Sequence, residues 1–131
     1  MNENLHPLLL AYLGDSVMEV MIRKRLILRP GADPASCNRQ ALEYVTAARQ
    51  AQAARKLVPL FDAAESELFG RAKNAKANSV PRNTDLYSYR LATALEAVFA
   101  SNSLAGREER NEELLRAAYP SLYETESGEK M

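Results

Sequence analysis

Apolar residues recur along this chain at steps of three and four, and no segment alternates apolar and polar positions as a half-buried strand would. Leu5, Leu8, Leu9, Tyr12, Leu13, Val17, Val20, Met21 and Ile27 follow that spacing and predict a long first helix to about Leu28, ended by Pro30 and Gly31. Asp33 followed by Pro34 reads as the N-cap and first residue of a second helix reaching toward Tyr44. Thr46 caps a third through about Leu60, across alanine and arginine residues of strong helix propensity, with Pro59 bending or ending it. A shorter helix from Asp62 to about Asn74 precedes a loop, Ala75 to Arg82, where Asn78, Ser79 and Pro81 discourage regular structure. Thr84 or Asn83 then caps a helix running past Phe99. The last helix starts near Gly106, carries Leu114 and Leu115 on one face and stops before Pro120. The expected architecture is all-α, about six helices with no sheet.

A chain of 131 residues fits one domain with a real core. The domain is expected over residues 1–123, with a polar tail over 124–131 and no internal repeat. No apolar run approaches the ~20 residues that span a bilayer, so no membrane partner is expected. No Lys or Arg precedes the short apolar stretch Leu8 to Leu13, so it does not read as a signal peptide. Cys37 is the only cysteine and His6 the only histidine. That excludes an intrachain disulfide, a multi-thiolate zinc site and a multi-histidine site, and it suits a cytoplasmic protein; Cys37 is not read as a nucleophile.

Seventeen basic and seventeen acidic residues leave no net charge, so any affinity for a polyanion has to be local. The distribution is uneven. Arg71, Lys73, Lys76, Arg82 and Arg90 lie in one stretch where Asp85 is the only acid, whereas Glu108, Glu109, Glu112 and Glu113 crowd the C-terminal part. The basic block reads either as a solvated face or as a surface where lysine and arginine meet phosphates and asparagine and threonine bond phosphate or a ribose hydroxyl.

Two acids stand apart from the charged helix faces. Asp15 follows Gly14 inside the most apolar part of the first helix, and Glu96 lies in Leu-Ala-Thr-Ala-Leu-Glu-Ala-Val-Phe-Ala with no charged residue nearer in sequence than Arg90. If buried, each needs a partner from elsewhere in the fold, because a lone carboxylate is costly to bury. Either each forms its own ion pair with a lysine or arginine or is simply exposed at a helix edge, or both converge on one hard cation, Mg2+ for preference, able to activate water beside a phosphate. Glu19 could join such a site, but Arg23 one turn on offers it an ion pair.

Three stretches resemble the Mini-III ribonucleases, short members of the ribonuclease III class without a separate double-stranded-RNA-binding domain. They are Leu10-Ala-Tyr-Leu-Gly-Asp-Ser-Val-Met-Glu-Val-Met-Ile-Arg, Arg71-Ala-Lys-Asn-Ala-Lys with Pro81-Arg-Asn-Thr-Asp, and Tyr89-Arg-Leu-Ala-Thr-Ala-Leu-Glu-Ala, within a likeness from about Leu5 to Leu115. The resemblance implies a ribonuclease III-like catalytic domain in which Asp15 and Glu96 are catalytic and hold Mg2+, with Mn2+ as a substitute. It assigns Lys73, Asn74, Lys76, Arg82 and Asn83 to RNA contact. It further implies a homodimer that cuts double-stranded RNA to 5′-phosphate and 3′-hydroxyl products, in the maturation of large-subunit ribosomal RNA precursors, with a ribosomal protein as a candidate further partner.

Two features depart from longer ribonuclease III enzymes or from the family. Ala11 and Thr93 stand where the longer enzymes carry two more acids, as in Mini-III enzymes, which favours one firmly held ion, with a second arriving with RNA, over a full two-metal site. Ser101-Asn102-Ser103 is polar where the family continues with apolar residues, so the helix carrying Glu96 is expected to end early or pack loosely there. Two rival functions are a non-catalytic RNA-binding scaffold, which gains nothing from the two acids, and a helical adaptor, which has no use for the basic loop.

Overall fold

The computed structural model describes residues 5–75, 80, 82 and 84–124. Six α-helices follow one another among them: α1 (Pro7–Leu26), α2 (Pro34–Val45), α3 (Ala47–Leu57), α4 (Ala63–Lys73), α5 (Leu86–Leu104) and α6 (Glu108–Ala118). Single 3-10 turns cover Val58–Leu60 and Pro120–Tyr123, and no described residue lies in a strand.

Local chemistry starts most of these helices. Asp33 and Asp62 each close a capping box, accepting from the backbone N–H of Ser36 at 2.9 Å and of Glu65 at 2.8 Å. Those bonds satisfy backbone donors that have no partner inside the helix. Thr46 caps α3 through the N–H of Arg49. α5 is capped by Asp85, accepting from Ser88 at 2.7 Å, and not by Thr84 or Asn83. Asp85 directly precedes the first helical residue, Leu86, the position from which a side-chain oxygen reaches the free N–H groups of the first turn.

α5 organises the rest. Its residues Leu91 to Leu95 and Ala97 to Ala100 are all buried, and a helix that is apolar all round belongs in the middle of a bundle. α1, α3 and α4 pack around it, α6 closes against α3 and the C-terminal half of α5, and buried residues of all six helices join one core.

α5 does not stop at the polar Ser101-Asn102-Ser103 segment: it runs to Leu104, and Asn102 is 3% exposed. The expectation of an early end or loose packing is therefore overturned. Asn102 donates from Nδ2 to Glu65 Oε2 at 2.9 Å and to Asn111 Oδ1 at 3.2 Å, and its Oδ1 accepts from Arg107 at 3.1 Å. Asn111, fully buried, donates to the carbonyl of Phe99 at 2.9 Å. A buried polar side chain with every group bonded is no obstacle to a helix in the core.

Among the described residues no helix is long and apolar enough to cross a membrane.

Candidate active site

The site begins with a glycine. At Gly14, α1 comes so close to α5 that an added Cβ would lie 1.8 Å from the backbone oxygen of Glu96 and 2.4 Å from its carbonyl carbon. Only a residue without a side chain permits that approach. The next residue is Asp15, so the same crossing brings two carboxyls, 81 residues apart in sequence, into hydrogen-bonding contact.

Glu96 is partly buried, and its carboxyl is pushed up to about 8. Burial is the largest cause, followed by the negative charge of Asp15; a hydrogen bond from Gln50 works the other way, and a hydrogen bond shared with Asp15 helps hold the proton. Among the described residues no lysine or arginine forms an ion pair with Asp15 or Glu96. Separate ion pairs, one of the readings open to the sequence, are therefore not seen among the described residues. Asp15 is exposed, the helix-edge placement that the sequence also left open, while Glu96 is not. The apolar neighbours Tyr12 and Leu13 that suggested its burial are themselves 82% and 36% exposed, so this flank of α1 faces outward.

Two adjacent carboxyls, one exposed and one held in an unfavourable environment, fit a divalent cation. A cation would offset both the burial of the Glu96 charge and its repulsion by Asp15, and a site with few protein carboxylates leaves positions for water and phosphate oxygens, as Mg2+ prefers. Among the described residues no third acid joins. The described residues contain no cluster of three or more His, Cys, Asp or Glu suited to a metal. Ala11 and Thr93, one turn before Asp15 and Glu96, are 6% and 8% exposed and carry no charge. Glu19 is paired with Arg23 at 2.8 Å.

The residues assigned to RNA contact are only partly described. Lys73 closes α4, Asn74 is its exposed C-cap, and Arg82 is exposed on the segment leading into α5; Lys76 and Asn83 lie outside the described residues. That segment enters α5 at Leu86, ten residues before Glu96, a rise of about 15 Å along the helix axis.

Gln50 escaped the sequence reading. It is 3% exposed on α3 and bonded to Glu96. A signal existed: Gln50 sits four residues before Ala54 and seven before Leu57, on the face that α3 buries.

Comparison with known proteins assigns this all-α bundle to a family. The Ribonuclease III domain family matches residues 8–107. The chain is 39% identical to a Mini-ribonuclease 3 of Symbiobacterium thermophilum, over 87% of this chain and 88% of that protein. It is 37% identical to a Mini-ribonuclease 3 of Staphylococcus aureus, over 85% and 84%. A crystal structure of a Fusobacterium nucleatum protein, 29% identical, superposes with a TM-score of 0.79 over 86% of this chain and 91% of that one. The chain belongs to the ribonuclease III family, in its Mini-III branch. It is an endoribonuclease of that family, and RNA is its substrate.

Proposed function

We propose that this enzyme hydrolyses phosphodiester bonds of double-stranded RNA with the help of Mg2+ held between Asp15 and Glu96, as a homodimer, and that its substrate is a precursor of large-subunit ribosomal RNA. The observation that carries the reading is the contact between two carboxyls from α1 and α5, with no ion pair to a cationic side chain among the described residues. Catalysis of hydrolysis gives such an arrangement a use, since a bound divalent ion makes water a nucleophile near neutral pH and offsets charge developing on the attacked phosphate. The chain's own parts do the rest. Glu96 is fixed by the crossing at Gly14, Asp15 supplies the solvent-facing ligand, and Lys73 and Arg82 offer charge to the flanking phosphates. Water adds at phosphorus as the bond to the 3′ oxygen breaks, leaving a 5′-phosphate and a 3′-hydroxyl.

The outer face of α1 supports the homodimer. Leu9, Tyr12 and Val20 are 60%, 82% and 52% exposed and fall, with Leu13, on one side of the helix, opposite the face packed on α5. A contiguous apolar stripe of that kind marks an association surface. A second copy set against it would put one Asp15 on each side of the interface, and two sites suit cutting the two strands of one duplex. That pairing also adds avidity, since two copies of one domain grip the same duplex.

The test is a short RNA duplex incubated with the protein, with and without Mg2+, beside Asp15→Asn. Metal-dependent cuts in both strands, lost in the variant, are expected. Retention of the duplex without cutting in any metal would instead make the chain an RNA-binding scaffold.

A further inference from the structure

We infer that Gln50 is the positioning residue of this site: from the α3–α5 interface its side-chain amide donates to the Glu96 carboxylate and holds it turned toward Asp15. The inference rests on the reading of Asp15 and Glu96 as the metal ligands.

The geometry is that of a built contact. The N-terminus of α3 is fixed by Thr46, and the backbone N–H of Gln50 donates to the carbonyl of Thr46 at 2.9 Å, so the residue sits in the first, capped turn. Ala51, Ala53 and Ala54 beside it are all buried, and such small side chains let α3 lie close to α5. On that buried face Gln50 is the one polar side chain, 3% exposed. No buried side-chain nitrogen or oxygen among the described residues lacks a hydrogen-bond partner, and the partner of this amide includes Glu96.

The residue type matters as much as the place. An arginine or lysine at this position would neutralise Glu96 and compete with a metal, and a leucine would leave the carboxylate free to rotate without a donor. An uncharged amide fixes the orientation while leaving the negative charge available. Groups bonded to a metal ligand are what set its direction, and their loss typically weakens metal binding or activity by about ten- to a hundredfold.

Gln50→Met keeps the length and bulk of the side chain and removes the donor. Free Mn2+ measured by electron paramagnetic resonance, in the absence of RNA, is expected to show about tenfold weaker binding or more. The Mg2+ concentration for half-maximal cleavage should rise in parallel, with KM for the duplex at saturating Mg2+ unchanged. A side chain that only fills space would leave both metal readouts as they are, and natural Mn2+ affinity in Gln50→Met overturns the inference. Asp15→Asn is the control. If it too binds Mn2+ normally, the metal reading itself falls and the role of Gln50 with it. If Asp15→Asn is impaired and Gln50→Met is not, only the role of Gln50 falls. Should Gln50→Met not fold, the unaltered protein decides: the assigned side-chain amide resonance of Gln50 is expected to shift when Mg2+ is added, and an unmoved resonance overturns the inference.

Discussion

Glu65 and Glu96 are both carboxylates drawn into the helical core, and their surroundings treat them in opposite ways. Glu65 is 3% exposed, and burial alone would raise it. Yet hydrogen bonds from Arg110 at 2.7 and 3.0 Å, from the backbone N–H of Asp62 and from Asn102, together with the charge of Arg110, hold it down to about 2. Glu96 has one neutral donor, Gln50, and beside it a second acid, and is pushed up to about 8. The first is a finished structural joint between α4, α5 and α6. The second is an arrangement that the fold alone leaves unfavourable, which is where an ion or substrate is expected to supply what is missing.

The largest effect that separates the two is on cleavage. Glu96→Gln keeps the shape and removes the charge, and should lower kcat by at least about a thousandfold, because the stabilisation of transition-state charge at stake is several kcal/mol. The same change should leave the metal-free protein as stable as before or more so, since it removes a carboxyl repelled by Asp15. Thermal unfolding without divalent ions checks the second half. A clear loss of stability there would mean that Glu96 is a structural joint like Glu65.

Glu65→Gln is the reciprocal experiment. Removing the charge of Glu65 breaks a buried ion pair, although Arg110, 19% exposed, keeps Glu113 at 2.7 Å and the carbonyl of Leu60 at 2.8 Å. The cost should be about 3 kcal/mol in urea unfolding, with kcat unchanged where the protein is folded. Gly14→Ala falls between the two carboxylates in kind. Its Cβ would meet the Glu96 backbone, so α1 and α5 must move apart, which predicts a destabilisation of about 1–3 kcal/mol from overpacking and a drop in cleavage of about a hundredfold from misplacement. Comparing unfolding with single-turnover rates would show whether site geometry suffers more than the fold.

The two regions also differ in how far the sequence announces them. Helix starts at Asp33-Pro34, Thr46 and Asp62 were legible because a cap and the turn it serves lie within four residues. Asp15 and Glu96 were legible as a pair because acids in apolar surroundings require an explanation, although the sequence could not choose between burial and helix-edge exposure for Asp15. Residues 8–13 are so uniformly apolar that their spacing cannot say which face of α1 meets α5, and Leu9, Tyr12 and Leu13 turned out to face away from it. The Glu65 joint was illegible. Asn102 reads as a helix breaker in its own neighbourhood, and the groups that satisfy it are 9 and 37 residues away. Gln50 was hidden for the same reason, since its partner lies 46 residues along the chain.

The smallest of these effects, and the one that uses both carboxylates at once, is the pH dependence of stability in the absence of divalent ions. For Glu65 the folded value of about 2 lies below the ordinary 4.5, so the unfolded chain binds more protons between those values. Its contribution is present above about 4.5 and is lost as pH falls toward 2. For Glu96 the folded value of about 8 lies above 4.5, so the native state holds the extra proton, and its contribution is present below about 4.5 and is lost as pH rises through 8. The two limbs together predict greatest stability near pH 5, with a decline of about 1–2 kcal/mol toward pH 8, water at the partly buried carboxyl reducing the full linkage. Glu96→Gln should flatten the alkaline limb and leave the acid one, and Glu65→Gln should do the reverse. Mg2+ should restore stability at pH 8 in the unaltered protein and do nothing for Glu96→Gln. Unfolding midpoints from pH 3 to 8 measure all of this. An alkaline limb that survives in Glu96→Gln would show that the strain belongs to some other group, and that the two carboxylates are more alike than their surroundings imply.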